Sequence, residues 1–299
     1  MERAVLFALF ASFCTATSSV FQRFGAATAP PSRGFDLKLM LYLVRQPIWL
    51  AGVVSMIVGF GFQVVALHFG TLALVQPILA TELLFVFGYM AIIGSRQVER
   101  SDWTAAAAMA AGLGVFLFTA DPSGGSLHAP ALQWWLAGIS SLGLTAVVAA
   151  TAFIPLRHGS PASPSRRAAT LGIATGISWG FVAAVIKELS SHHGVGQILT
   201  TWSPYVLVLV GAVSMLLASH ALQAGPLPAS QPGFTIVDPL VASLIGVFVF
   251  SEHFELSGID VAVEVASLAA LAWGAIKLSH SRLVHEATSP PGQPIRSAS

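Results

Sequence analysis

The chain has 299 residues, 55% of them apolar and 9% charged, with a mean hydropathy of +0.77 and a formal net charge of +1. So few charges cannot cover a water-soluble protein of this length, and the near-neutral balance gives no electrostatic footprint for nucleic acid. Cys14 is the single cysteine, which excludes an intramolecular disulfide and a cysteine metal cluster.

A helix needs about 20 mostly apolar residues to cross a hydrocarbon core about 30 Å thick. Nine segments meet that need, at roughly 4–23, 48–68, 71–93, 102–120, 131–154, 168–188, 202–222, 228–250 and 258–278. They are spans 1 to 9 below. Turn or charge signals separate them, among them Pro30-Pro31, Gly70, Pro122 to Gly125, Arg157 to Arg167 and Ser251 to Glu255. Residues 4–29 also have the outline of a signal peptide ending at Ala27-Thr28-Ala29. The basic region before them is thin and the apolar stretch long, so a retained first span is the expectation. The tail after Ser281 is predicted to be disordered.

Basic residues test the count. With alternating connections, only Arg3 and Lys187 of the 14 basic residues fall on one side, and positive charge stays cytoplasmic. A multi-pass plasma-membrane protein follows, with its N-terminus outside and its C-terminus cytoplasmic.

Ala66 to Pro77 and Ala221 to Pro232 share the pattern A-L-x-x-G-x-L-x-x-x-Q-P. The duplication extends to spans 1 and 6. Ala8, Ser12, Ala16 and Val20 recur every fourth residue before Arg23, as do Gly172, Gly176, Gly180 and Ala184 before Lys187. Small residues at that spacing let helix backbones approach closely in lipid. Spans 1–4 therefore match spans 6–9, with span 5 between them. One intervening span makes the second copy enter from the opposite face. The predicted fold class is all-α: a polytopic integral membrane protein with nine transmembrane helices, two inverted four-helix repeats and a linker helix. Residues 1–120 form the first repeat, and 121–166 the linker helix and a cytoplasmic loop. Residues 167–280 form the second repeat, and 281–299 a cytoplasmic tail.

The run Q-P-I-L-A-T-E-L-L-F in span 3, with D-P-L-V and G-V-F-V-F-S-E in span 8, resembles the drug/metabolite transporter superfamily. Within it, the chain is similar to actinobacterial members related to EamA-like exporters and to the NIPA-type magnesium transporters. EamA members usually carry ten helices, and the count of nine follows the NIPA-type branch. The resemblance covers roughly residues 4–280 and implies a transporter; it alone carries the magnesium variant.

Polar residues inside the spans are the candidate chemistry. Glu82 and Asp238 lie near the middle of spans 3 and 8, and a central carboxylate costs about 2.5–3.5 kcal/mol on insertion scales. The Gln-Pro pairs align 155 residues apart, but Glu82 and Asp238 align at 156. One residue has been added between Pro232 and Asp238, and a helix absorbs such an insertion as a π-bulge, often at a functional site. Pro239 is expected to add a kink. Asp238 is the expected coupling or cation-binding carboxylate, against local pairing with Thr235, Gln231 or a backbone amide. Glu82 is the second, against a structural partnership with Lys187 or Gln76. Glu264 is a further pathway candidate. Gln76 and Gln231 read first as helix-to-helix hydrogen bonders and second as substrate contacts, and Pro77, Pro232 and Pro239 as helix-packing residues. Trp179 either lines a cavity or packs. Arg23 and Lys187 are expected to reach the headgroups. Trp134, Trp135, Trp202 and Tyr205 fit an interfacial belt, and His68, His192, His193 and His253 a solvated outer surface.

Gly176-Ile177-Ser178-Trp179-Gly180 matches the hydrolase pattern G-x-S-x-G, but inside a helix it lacks the required strand–turn context. No enzyme activity and no cofactor are expected, and no metal is assigned. The expected function is secondary transport of a small solute, proton-coupled through Asp238 and Glu82. A divalent-cation pathway is the variant, and a non-transporting regulator or scaffold the alternative. The expected partners are a small-molecule or ion substrate and the lipid bilayer. Two fused repeats make a monomer sufficient and leave a homodimer open.

Overall fold

The computed structural model describes residues 1–27, 45–93, 99–119, 122–153, 164–192, 194–224, 230, 233–254 and 258–279. Its helices are α1 (Glu2–Ala27), α2 (Pro47–Phe69), α3 (Leu72–Leu79), α4 (Glu82–Ile93), α5 (Arg100–Thr119), α6 (Ala131–Thr151), α7 (Pro164–Ser190), α8 (Val195–Thr200), α9 (Ser203–Ala224), α10 (Asp238–Phe250) and α11 (Gly258–Ser279). A π-helical turn, Gly233–Val237, leads directly into α10. Among the described residues the protein is all-α apart from a two-stranded antiparallel ladder of β1 (Pro122–Gly124) and β2 (Glu252–Phe254).

Helices occupy all nine predicted segments. Among the described residues, six are long and apolar enough to cross a membrane by length and composition: Glu2–Gln22, Pro47–Phe69, Leu72–Ile93, Ala131–Thr151, Pro164–Ser190 and Val261–Leu278. Ser203–Ala218 and Asp238–Phe250 are shorter apolar helices. This architecture is compatible with a polytopic membrane protein. The exposed faces agree: α2 presents Val54, Ile57 and Val58, and α6 presents Leu136, Ile139 and Val147, all of which suit lipid rather than water.

Buried fraction orders the helices. In α7, 72% of the span is buried, against 22% in α2 and 17% in α6, so α7 is the central rod and the other two are peripheral. Its partners are α9, α10, α6 and the π turn. In the first half α1 packs mainly along α2, then against α4 and α3, while α5 and α11 pair across the halves. Small residues permit these approaches. A Cβ on Gly112 would meet the Ser267 carbonyl of α11, and one on Gly274 the Ala105 carbonyl of α5.

The third predicted span is divided. Pro77 lacks the N–H that would bond the preceding turn, and the helix stops at Ala80–Thr81. Thr71 caps the start of α3 by accepting the Leu74 amide at 3.1 Å. Thr81 closes its end, donating its hydroxyl to the Ile78 carbonyl at 2.6 Å.

Candidate functional site

The extra residue before Asp238 is wound into the π turn, as its register predicts. The turn packs on the glycine stripe of α7. A Cβ on Gly176 would overlap the Gly233 carbonyl. One on Gly172 would lie 2.8 Å from the Ser230 Cα, and one on Gly180 2.9 Å from the Asp238 carbonyl. Gly172, Gly176 and Gly180 thus act as the spacing predicts, letting two backbones touch. Pro239 sits in the first turn of α10, where a missing N–H is least costly. Asp238 begins α10, and its Oδ1 is shielded from solvent with no hydrogen-bond partner among the described residues. Gln231, Pro232 and the side chain of Thr235 lie outside the described residues.

Glu82 begins α4 and is half-buried. Its Oε1 accepts the Ser19 hydroxyl of α1 at 2.9 Å. Neither Lys187 nor Gln76 is its partner among the described hydrogen bonds. The same face of α1 carries Ser12, whose hydroxyl lies 2.8 Å from that of Thr81, and Thr17, 2.7 Å from the Tyr89 hydroxyl. Gln76 is buried in α3, and its Nε2 has no partner among the described residues, so the expected helix-to-helix bond from that nitrogen is not formed.

Glu264 is buried in α11, and its carbonyl accepts the Ser267 hydroxyl at 2.8 Å. Trp179 is half-buried on α7, and Ser178 shares a 2.6 Å hydrogen bond with Ser214 of α9. An apolar cleft of about 310 Å³, lined by Leu6, Leu9, Phe10, Phe13 and Phe85, contains neither carboxylate.

Lys187 overturns its expectation. It is 3% exposed and donates to Glu252, 2% exposed, while its ammonium stands 4.9 Å from the Phe250 ring centroid. A buried ammonium needs a counter-charge more than a headgroup it cannot reach. Glu252 also accepts the Leu72 amide at 2.8 Å and the Ala73 amide at 3.4 Å, satisfying orphan donors at the start of α3. Gly246 leaves room for this carboxylate, since a Cβ there would overlap Oε2. Ser251 turns the chain with a left-handed φ of 55°, and β2 then pairs with β1. Glu252 is the acid of G-V-F-V-F-S-E; sequence reasoning gave this residue no role because its partners are remote in the chain.

A second polar group lies beside it. His128 Nδ1 is 3.4 Å from Glu188 Oε1, and Trp134 Nε1 donates to Glu188 Oε2 at 3.3 Å. His192 Nδ1 lies 3.1 Å from the Glu188 carbonyl oxygen. Trp134 is therefore no belt residue: it packs edge-on against Phe181, Trp202 and Phe250. Trp135, Trp202 and Tyr205 are exposed, as a belt requires. His68 bonds the Ser190 carbonyl at 2.8 Å and His192 is half-buried, so neither is plain solvated surface; His253 is exposed. His193 and the side chain of Arg23 lie outside the described residues.

No family model and no solved structure matches the chain. It is similar to an uncharacterised protein of Corynebacterium glutamicum, 28% identical over 259 residues, which covers 85% of this chain and 86% of that protein.

Proposed function

We propose that the chain is a secondary-type transporter that moves a small solute by alternating access between two inverted halves, with Asp238 as its coupling carboxylate. The observation that carries this reading is the Oδ1 at the exit of a π turn, shielded and without a hydrogen-bond partner among the described residues. Insertion scales charge roughly 2.5–3.5 kcal/mol for an acid in an apolar span, and Oδ1 gains no hydrogen bond among the described residues to offset it. A solute or proton is the natural partner for such an oxygen.

Two further observations support the repeated halves. Ser12 and Gly176 hold the same place in the two four-residue stripes, as Thr81 and Val237 do in the matched spans. Ser12 bonds Thr81, and a Cβ on Gly176 would lie 2.9 Å from the Val237 Cβ. Equivalent residues thus meet equivalent residues. The same proposal includes nine spans, a plasma-membrane setting with the N-terminus outside, and membership of the drug/metabolite transporter superfamily. Glu82 is already engaged by Ser19, which favours a metabolite over a bare divalent cation held by both acids.

The test is thermal stability of the purified protein against magnesium, other divalent ions and a metabolite panel, followed by uptake of any hit into proteoliposomes. A ligand at about 100 times its Kd stabilises by roughly 2.7 kcal/mol. A shift and uptake that Asp238→Asn abolishes are expected. Uptake at the full rate by a folded Asp238→Asn protein would remove Asp238 from the mechanism.

A further inference from the structure

We propose that His128, Glu188 and His192 form a binding site for a zinc-class divalent transition metal, beside the Lys187–Glu252 pair. Nothing in the transport reading requires this site. Each residue offers one ligand atom, and the three atoms lie within 4.8 Å of one another. Two ligands each about 2.05 Å from a tetrahedral ion stand roughly 3.3 Å apart. The His128 Nδ1 to Glu188 Oε1 separation is 3.4 Å. That is long for a charge-assisted hydrogen bond, about 2.7–2.9 Å, and suits two groups sharing an ion.

The surrounding contacts orient the ligands. Trp134 holds Glu188 Oε2, so Oε1 is left to face the imidazole. His192 Nδ1 lies 3.1 Å from the Glu188 carbonyl oxygen, which can only accept, and the tautomer that donates there carries its lone pair on Nε2. A ring N–H anchored on a backbone carbonyl is the usual support of a metal-binding histidine. The Ser191 hydroxyl lies 3.2 Å from His128 Nδ1 and 3.1 Å from His192 Nδ1. Glu188 is buried, whereas the side chain of His128 is 63% exposed and free to close the remaining distance. Three protein ligands leave a fourth position for water.

The donor set selects the metal class. Imidazole with a carboxylate suits zinc, nickel, copper or cobalt, whereas magnesium and calcium favour all-oxygen shells. A bound ion would tie the segment before α6 to the last turn of α7, one residue from Lys187.

The test titrates tag-free, chelator-treated full-length protein with Zn²⁺ by calorimetry and with Co²⁺ by visible absorption. Expected are about one equivalent bound, a tetrahedral Co²⁺ spectrum and a rise in Tm, with no response to Mg²⁺. His128→Ala and His192→Ala should each weaken binding roughly tenfold or more, and His253→Ala should not. Glu188→Gln should also weaken it. If burial makes that variant unfold, the two histidine variants decide alone. Absence of Zn²⁺ binding by wild type, or unchanged binding by the His128→Ala/His192→Ala double variant, would overturn the site.

Discussion

Among the described residues, the first half of the molecule satisfies its mid-span acid and the second half does not. Glu82 follows a helix break and accepts the Ser19 hydroxyl, while Asp238 follows a π turn and keeps a shielded oxygen without a partner among the described residues. The alignment that sets Ala16 against Gly180 puts Ala183 where Ser19 stands, and alanine donates nothing. The packing differs in the same sense. Hydroxyls of α1 fasten α3 and α4, whereas glycines of α7 bring bare backbone against the π turn. Around Asp238 the contact is by close backbone approach, with one acid oxygen left over among the described residues, whereas around Glu82 it is by side-chain bonds.

The largest expected effect comes from cutting the link between the halves. Glu252→Ala strands the Lys187 ammonium and two α3 amides, and should cost about 3–5 kcal/mol. A large fall in Tm and in the monodisperse fraction in detergent would register it. The double variant Lys187→Met/Glu252→Leu should recover much of the loss, because no buried charge then remains unpaired.

Next in size is the packing contrast. Gly176→Ala drives a Cβ into the Gly233 carbonyl and should cost about 1–3 kcal/mol. Ser12→Ala removes one buried hydroxyl pair and should cost about 1 kcal/mol. Equal Tm losses from the two would mean that the halves are held in the same way.

The carboxylates separate function from stability. Glu82→Gln should lower stability by about 1 kcal/mol through the weakened Ser19 bond, and Asp238→Asn should leave stability near wild type while removing ligand-induced stabilisation. Melting curves of both, with and without the hit solute, would check it. A destabilised Asp238→Asn would show instead that the acid holds the π turn.

The smallest effect sharpens the comparison most. Ala183→Ser supplies, at the position matching Ser19, the donor that Asp238 Oδ1 lacks among the described residues. It should stabilise by up to about 1 kcal/mol and compete with the solute for Asp238. No change in either quantity would place position 183 out of reach of the acid.

Much of the fold was legible in the sequence because apolar length and backbone register are local. The apolar segments marked where helices run, the four-residue stripe marked the close contact of α7, and a one-residue slip marked the π turn. The candidate site was legible only in part. Asp238 and Glu82 stand out as acids in apolar runs, but the sequence does not reveal that Ser19, 63 residues away, engages one of them. Lys187 looked like a headgroup anchor because its partner lies 65 residues on, and that partner's amide at Leu72 is 180 residues from Glu252. His128 and His192 carry no ligand spacing along the chain and meet only through Glu188.

The sequence by itself determined where helices run and which of their faces are small, since both follow from a short window of residues and an apolar solvent. Only the tertiary structure decided which buried polar groups are paired. That outcome depends on which remote helix ends pack together, and each charge in a low-dielectric interior takes the nearest counterpart the packing offers, here Glu252 for Lys187 and none among the described residues for Asp238 Oδ1.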